Sequence, residues 1–182
     1  MQHPSQLLSK DDIHLIRSYS LIAEGQGALT PAQLQLIYDR RWFKVMVPAY
    51  AGGLELSLPE TMHLLEAAAW ADGSFGWVLN LGAGANMFAA FLPAEIGKKL
   101  FIHPEICLAG SGALSGKAEK IDGGYIVNGT WKYASGASHS SFFSVSCILT
   151  QNGEPTKDKK GGFKTRSFII PRHQVTVSEL ME

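Results

Sequence analysis

The residue types most able to do chemistry lie in one short stretch, Ser135 to Ser141, which reads Ser-Gly-Ala-Ser-His-Ser-Ser. A loop of small residues between strands lets the backbone come close to a flat ligand. Within this loop, His139 supplies a ring that can exchange a proton near neutral pH. Residue types alone leave open the alternative of an ordinary polar loop between two strands, which is the commoner case.

Hydrolase and phosphate-loop chemistry find little support. A neighbouring serine and histidine suggest a hydrolase, but the sequence has no Gly-x-Ser-x-Gly elbow and no acidic residue close to His139. The run Gly110-Ser111-Gly112 resembles a phosphate-binding loop only in its glycines. A P-loop ends in Lys-Ser/Thr and opens a helix, whereas a hairpin follows here. Both motifs are therefore weak as sites of catalysis.

The histidines and cysteines do not predict a metal site. The histidines are scattered without His-x-x-x-His or His-Glu-x-x-His spacing, and Cys107 and Cys147 form no Cys-x-x-Cys motif. We therefore expect neither a bound metal nor a disulfide framework.

Length, charge and composition narrow the class of protein. The chain has 182 residues, 46% of them hydrophobic, and 16 basic side chains balance 16 acidic ones. A formal net charge of zero disfavours a nucleic-acid partner. The first residues lack a basic stretch followed by an apolar one, which disfavours a secretory signal. We expect a reduced, soluble, cytoplasmic protein.

One charge-free segment, residues 73–94, is long enough to span a bilayer. Its four glycines, two asparagines and sparse leucine are atypical of a membrane span and favour a buried helix of a soluble domain. Small residues in such a helix would let a neighbouring helix or a ligand come close.

The pattern of turns and caps predicts helices first and strands second. Capping signals stand at Ser9, Thr30-Pro31 and Ser57, and Asp122-Gly123-Gly124 is a strong hairpin turn. Strands are predicted at residues 117–121, 125–128, 130–134, 142–150, 168–171 and 175–177. The fold class is therefore α+β, with an N-terminal helical domain over residues 1–104 and a β-domain over residues 105–182.

Two stretches carry a resemblance to a known family. They read VPAYAGGLELSLPETMHLLEAAAWADGS and GKAEKIDGGYIVNGTWKYASGASHSSFFSV. In this order they resemble the acyl-CoA dehydrogenase superfamily of flavoproteins, from about residue 10 to about residue 177. The resemblance implies an all-helical N-terminal domain, a small antiparallel β-barrel or sandwich domain, and then a four-helix bundle. Because the sequence stops at Glu182, we expect the bundle to be absent and the chain to be a truncated component.

The resemblance is closer to one branch of the superfamily. The Thr-Glu-Pro…Gly-Ser-Asp stretch of the dehydrogenases is replaced here by residues 108–113, Leu-Ala-Gly-Ser-Gly-Ala. Residues 73–78 and 133–139 look more like the flavin-dependent aromatic hydroxylases, which use reduced flavin from a partner reductase. A reduced-flavin-dependent monooxygenase component is the function this implies. The alternatives are an FAD-dependent acyl-CoA dehydrogenase, and an inactive remnant or assembly module.

The resemblance also implies a set of site residues. The expected cofactor, FAD or FMN, would contact Ser111, Gly112, Tyr133, Ala134, Ser135 and Gly136. Of these, Tyr133 would pack near the flavin ring and Ser135 would hydrogen-bond near N5 and O4. In the monooxygenase interpretation Ser135 would also stabilise an oxygen adduct of the flavin, and His139 would contact substrate or flavin, so these two are the expected catalytic residues. Expected partners are a flavin reductase or a chain that supplies the C-terminal domain, together with a homo-oligomer, and neither a nucleic acid nor a membrane.

Overall fold

The computed structural model describes residues 3–178, and its chain divides after Cys107 into a helical unit and a β-unit. The prediction of an α+β fold, helices first and strands second, is confirmed. The α-helices are α1 Lys10–Ser18, α2 Ser20–Gln26, α3 Pro31–Asp39, α4 Leu58–Ala71, α5 Gly73–Asn86 and α6 Ala94–Phe101. The strands are β1 Leu108–Ile121, β2 Gly124–Asn128, β3 Phe142–Gln151, β4 Glu154–Pro155 and β5 Thr165–Pro171.

The helices begin at the predicted capping residues. The Ser9 hydroxyl caps α1, while Thr30 with Gln33 and Ser57 with Glu60 form complete capping boxes at α3 and α4. Each cap satisfies backbone N–H groups that a helix start leaves without an internal partner. Local sequence chemistry therefore determines where these helices begin.

The charge-free segment forms helix α5, which buries one face and leaves Trp77 59% exposed, and then a 3-10 helix, Met87–Phe91. The absence of a side chain at Gly76 lets α5 lie directly against the backbone of Ala69 in α4. At the end of α5, the buried Asn86 amide donates to the carbonyls of Phe43 and Ile106 at 3.0 and 3.3 Å. Within residues 3–178, no helix is both long enough and apolar enough to cross a membrane.

A buried lysine closes the C-terminal end of α6. The Lys44 side chain is 3% exposed, and its ammonium donates to the carbonyls of Phe101 and His103, both at 2.7 Å. Burial, with a smaller contribution from the charge of Arg41, lowers the pKa of Lys44. A cation at this place satisfies carbonyls that the last turn of a helix leaves without a partner.

The β-unit is a five-stranded mixed sheet with the strand order β2-β1-β3-β4 and with β5 paired to β3. The hairpins β1–β2 and β3–β4 are antiparallel, but β1 and β3 run parallel. The prediction of an antiparallel barrel or sandwich is therefore wrong for this pairing, and β2 lies at an open edge of the described sheet. The physical reason is the route of the chain after β2. Strand β2 runs opposite to β1, and the chain then crosses to the far side of β1 and reverses direction again, so β3 runs parallel to β1.

The crossover between β2 and β3, residues 129–141, carries the predicted site segment. The parallel strands β1 and β3 are not joined directly, because the chain between them contains β2 and this connection. Here the connection is irregular, and the strand predicted at residues 130–134 does not form. Tyr133 has a φ of 59°, a left-handed conformation that no regular strand contains. The strand predicted at residues 175–177 is also absent, because the chain turns through the 3-10 helix Arg172–Gln174 after β5.

Candidate functional site

Trp131 anchors the start of the crossover. Its indole N–H donates to the carbonyl of Ser146 in β3 at 3.1 Å. The ring lies against the backbone of Gly116 and Gly129, so that a Cβ added at Gly116 would sit 2.1 Å from it. Only glycine at these two places lets the ring lie flat on the hairpin.

Tyr133 presents its ring to solvent. The side chain is 78% exposed, and the left-handed backbone turns the chain sharply at this residue. Its carbonyl accepts a hydrogen bond from the Ser135 N–H at 2.9 Å. The backbone donor of Ser135 is thus used within the turn, so the hydroxyl is the group through which Ser135 can reach a ligand.

The next residues form a tight turn, Ala134 to Ser140, which carries His139. The N–H of Ala137 donates to the Ala134 carbonyl at 3.1 Å, and the N–H groups of His139 and Ser140 donate to the Gly136 carbonyl at 3.2 and 3.0 Å. Gly136 has a φ of 84°, and a Cβ there would lie 3.3 Å from Nε2 of His139. The histidine ring therefore folds back over the glycine, which suits this position both in conformation and in size.

The environment of His139 keeps its ring neutral at physiological pH. Burial, and secondly the nearby charge of Arg172, lower the pKa of His139 to about 4. The hydroxyl of Ser138 lies 3.4 Å from Nδ1 of the ring. At pH 7 the ring can donate or accept one hydrogen bond, but it is not an imidazolium acid.

Ser111 and Gly112 lie on a different element, at an irregularity in β1. The parallel ladder with β3 slips between Ser111 and Gly116, and residues 112–115 are exposed. The Ser111 hydroxyl accepts from the N–H of Ala113 at 3.3 Å. A Cβ at Gly112 would meet nothing within 4 Å, so this side of the irregularity is open to a ligand.

The expected site residues thus fall into two groups. Tyr133, Ala134, Ser135, Gly136 and His139 are brought together by one turn. The irregularity that holds Ser111 and Gly112 is tied to the crossover, because the Ser115 hydroxyl donates to the Thr130 carbonyl at 2.7 Å. Among residues 3–178, no hydrogen bond joins Ser111 or Gly112 directly to residues 133–136.

No pattern in the sequence singles out Arg172, which contacts the turn that carries His139. One guanidinium nitrogen, Nη1, donates to the carbonyl of Ala137 and, at 3.5 Å, to that of Ser140. The residue lies immediately after β5, more than thirty positions along the chain from the turn that it contacts. Contacts between such distant parts of the chain follow from strand pairing and not from a local motif.

An open pocket of about 770 Å³ lies beside this arginine. Most of its wall is apolar, and Arg172 and His173 supply its charged or titratable groups. The lining residues are Ser141, Phe142, Pro171, Arg172, His173, Val175 and Val177. Elsewhere in the described part of the chain, no group of three or more His, Cys, Asp or Glu side chains is placed to hold a metal ion.

The arrangement suits the ring of a flavin. An isoalloxazine needs a flat contact surface and hydrogen-bonding groups at its edge. The exposed Tyr133 ring, the Ser135 hydroxyl and the open backbone at Gly112 provide groups of these kinds. The residues present therefore fit the ring portion of the expected cofactor.

Comparison with known proteins gives a consistent class. No family model matches the chain. Curated relatives that match include a monooxygenase and the oxygenase subunit of a flavin-dependent monooxygenase, and matching solved structures include the HsaA monooxygenase and XiaF in complex with FADH2. The names of these relatives support the predicted resemblance to the monooxygenase branch.

Three comparisons illustrate the match. Indole-3-acetate monooxygenase of Pseudomonas putida is 31% identical over 138 residues, which are 75% of this chain and 33% of the relative. The flavin-dependent monooxygenase oxygenase subunit HsaA of Mycobacterium tuberculosis is 25% identical over 166 residues, or 91% of this chain and 40% of the relative. The structure of XiaF from a Streptomyces species, in complex with FADH2 and glycerol, superposes with a TM-score of 0.82 at 20% identity and covers 98% of this chain and 44% of that one.

The chain therefore shares the fold of the matched part of XiaF. It spans from one third to less than half of the length of the proteins named here.

Proposed function

We propose that the chain is a flavin-facing component of a reduced-flavin-dependent monooxygenase, with FAD or FMN as cofactor. The observation that carries the proposal is the crossover turn. It exposes 78% of the Tyr133 side chain next to a run of small residues, and its backbone is held by its own hydrogen bonds. Two of the matched proteins support this cofactor class, since HsaA is named a flavin-dependent monooxygenase subunit and XiaF is described in complex with FADH2.

In this proposal different residues of the chain contact different parts of the flavin ring. Tyr133 packs against the ring, and the Ser135 hydroxyl hydrogen-bonds at its N5 and O4 edge. The N–H groups around Ser111 and Gly112 serve the pyrimidine edge. When bound and reduced, the flavin supplies the activation of molecular oxygen; the chain positions the ring and limits access of water to it.

His139 acts as a neutral group. Because burial lowers the pKa of His139 to about 4, its ring carries no charge at pH 7. A neutral ring does not repel a positively charged hydrogen-bond donor. We propose that it holds a substrate or flavin oxygen by a hydrogen bond.

The proposal includes a partner. The curated relatives include oxygenase subunits, a term that implies a second component. We propose that a flavin reductase delivers reduced flavin to this chain and that the chain works as part of a larger oligomer.

The experiment is a titration with oxidised FAD and FMN, followed by flavin fluorescence, and with the anaerobically reduced flavins, followed by isothermal titration calorimetry. Removal of the Ser135 hydroxyl in Ser135→Ala should weaken binding by about tenfold, the value of a lost hydrogen bond to a buried ligand atom. Ser18→Ala is the matched control, since its hydroxyl donates only within α1, to the His14 carbonyl at 2.7 Å. Equal affinities of the two variants would remove Ser135 from the site.

A further inference from the structure

The turn from Ala134 to Ser140 contacts the core of the sheet through two small side chains, those of Ala134 and Ala137. Its backbone hydrogen bonds join residues only two to four positions apart. The regular ladder of β3 begins at Phe142, beyond the turn. Short-range bonds of this kind define the local shape of the turn, and the methyl groups of two alanines give it only a small packing contact with the sheet.

The residue after β5 supplies an external anchor. Phe142 pairs with Pro171, and the N–H of Arg172 donates to the Ser141 carbonyl at 3.0 Å, which extends the β3–β5 pairing by one residue. This extension brings the Arg172 side chain to the turn. Its Nη1 then bridges the carbonyls of Ala137 and Ser140.

The guanidinium is the strongest donor at these carbonyls. The Ser140 hydroxyl also donates to the Ala137 carbonyl, at 3.3 Å, but it is a neutral group within the same turn. Hydrogen bonds from an ionised donor are roughly twice as strong as neutral ones. The bridge from Arg172 also links the turn to a strand, which the serine does not do.

We infer that Arg172 is a positioning residue: by bridging the Ala137 and Ser140 carbonyls it locks to the sheet the turn that carries Ser135 and His139. The closed turn is what buries the His139 ring over Gly136. The consequence for flavin binding rests on the proposed function, whereas the lock itself is a property of the free chain.

The first test is amide hydrogen exchange on the full chain without flavin. In Arg172→Gln, the amides of His139 and Ser140 should exchange about tenfold faster than in the wild type, because the bridging charge-assisted bonds are lost. Arg172→Lys retains the charge and a nitrogen donor and should give intermediate rates.

Arg166→Gln is the matched control. Arg166 lies on β5, the strand that ends just before Arg172, and its side chain contacts Tyr125 and not the turn. Exchange at the turn should be unchanged in this variant. Equal exchange in wild type and Arg172→Gln, or an equal acceleration in both glutamine variants, would overturn the inference.

The second test follows the His139 ring by NMR titration. Opening of the turn hydrates the ring, so its pKa should rise from about 4 towards its ordinary value of 6.5 in Arg172→Gln. If Arg172 did not fix the turn, its replacement would remove only its charge. Most of the lowering of the His139 pKa would then remain, since burial of the ring is the main cause. An unchanged pKa in Arg172→Gln would contradict the inference.

Flavin affinity separates this inference from the proposed function. If exchange and the His139 pKa change as expected but the wild type binds no flavin, the lock is supported and the proposed function fails. If the wild type binds flavin but Arg172→Gln changes neither amide exchange nor the His139 pKa, the inference about Arg172 is wrong and the proposed function stands. If both hold, Arg172→Gln should weaken flavin binding and Arg166→Gln should not.

Discussion

Three glycines of α5 provide a graded test of how closely this helix packs. Replacement by alanine adds the same methyl group at each position and gains about 1 kcal/mol of helix propensity. The surroundings of the added Cβ differ. At Gly76 it would lie 2.4 Å from the Cα of Ala69, at Gly82 it would lie 2.4 Å from the Phe43 ring, and at Gly84 it would meet nothing within 4 Å.

These distances set the order of stabilities. At Gly76 the obstacle is the backbone of α4, so the two helices must move apart, and we take the upper end of the overpacking range, about 3 kcal/mol. At Gly82 the obstacle is a ring that is 1% exposed, and we expect about 2 kcal/mol. After the propensity gain, Gly76→Ala should destabilise by about 2 kcal/mol and Gly82→Ala by about 1 kcal/mol, while Gly84→Ala should stabilise by about 1 kcal/mol.

The assay is thermal and urea unfolding followed by circular dichroism at the helical band. For a chain of this size about 1 kcal/mol corresponds to roughly 2–4 °C, so Gly76→Ala and Gly84→Ala should differ by about 6–12 °C in Tm. Because all three variants share one helix, propensity cancels and the difference reports packing alone. Equal Tm values for Gly76→Ala and Gly84→Ala would refute the close contact of α4 and α5.

Three further perturbations test other parts of the structure. The lowered pKa of His139 means that the folded state binds a proton less readily than the unfolded state does. The free energy of unfolding should therefore be highest above pH 6.5 and should fall by about 2 kcal/mol between pH 7 and pH 5. In His139→Gln, the urea midpoint should fall less over the same pH range. Trp131→Phe removes the bond to Ser146 and should cost about 1 kcal/mol in chemical denaturation, whereas an unchanged midpoint would argue against that anchor. Lys44→Met leaves the carbonyls of Phe101 and His103 without the ammonium donor and should lower the free energy of unfolding, measured in urea, by about 2 kcal/mol. A more stable variant would show that the cost of burying the ammonium exceeds the stabilisation from its two hydrogen bonds.

Local chemistry was the part of the fold that the sequence could predict. The helix caps at Thr30 and Ser57 depend on residues three positions apart, and the predicted turn at Asp122-Gly123-Gly124 joins β1 to β2 with a left-handed φ of 77° at Gly123. The small residues of α5 were expected to permit close approach, and Gly76 does so.

Long-range pairing was the part that the sequence could not predict. The parallel register of β1 and β3 depends on where the chain goes after β2, and no residue in residues 129–141 signals that crossing. The left-handed conformation of Tyr133 interrupts a stretch whose composition favours a strand. For the candidate site, the small-residue loop around His139 was visible in the sequence, but its attachment through Trp131 and Arg172 was not.

The central claim is that a flavin ring binds at the crossover between β2 and β3. The most direct measurement is an NMR chemical-shift map of the full chain during titration with FMN and FAD, oxidised and anaerobically reduced. The account predicts saturable shifts concentrated at residues 111–115 and 133–139, with a reduced response in Tyr133→Ala. Saturable shifts elsewhere in the chain, or no binding at high micromolar concentrations of either flavin in either redox state, would contradict it.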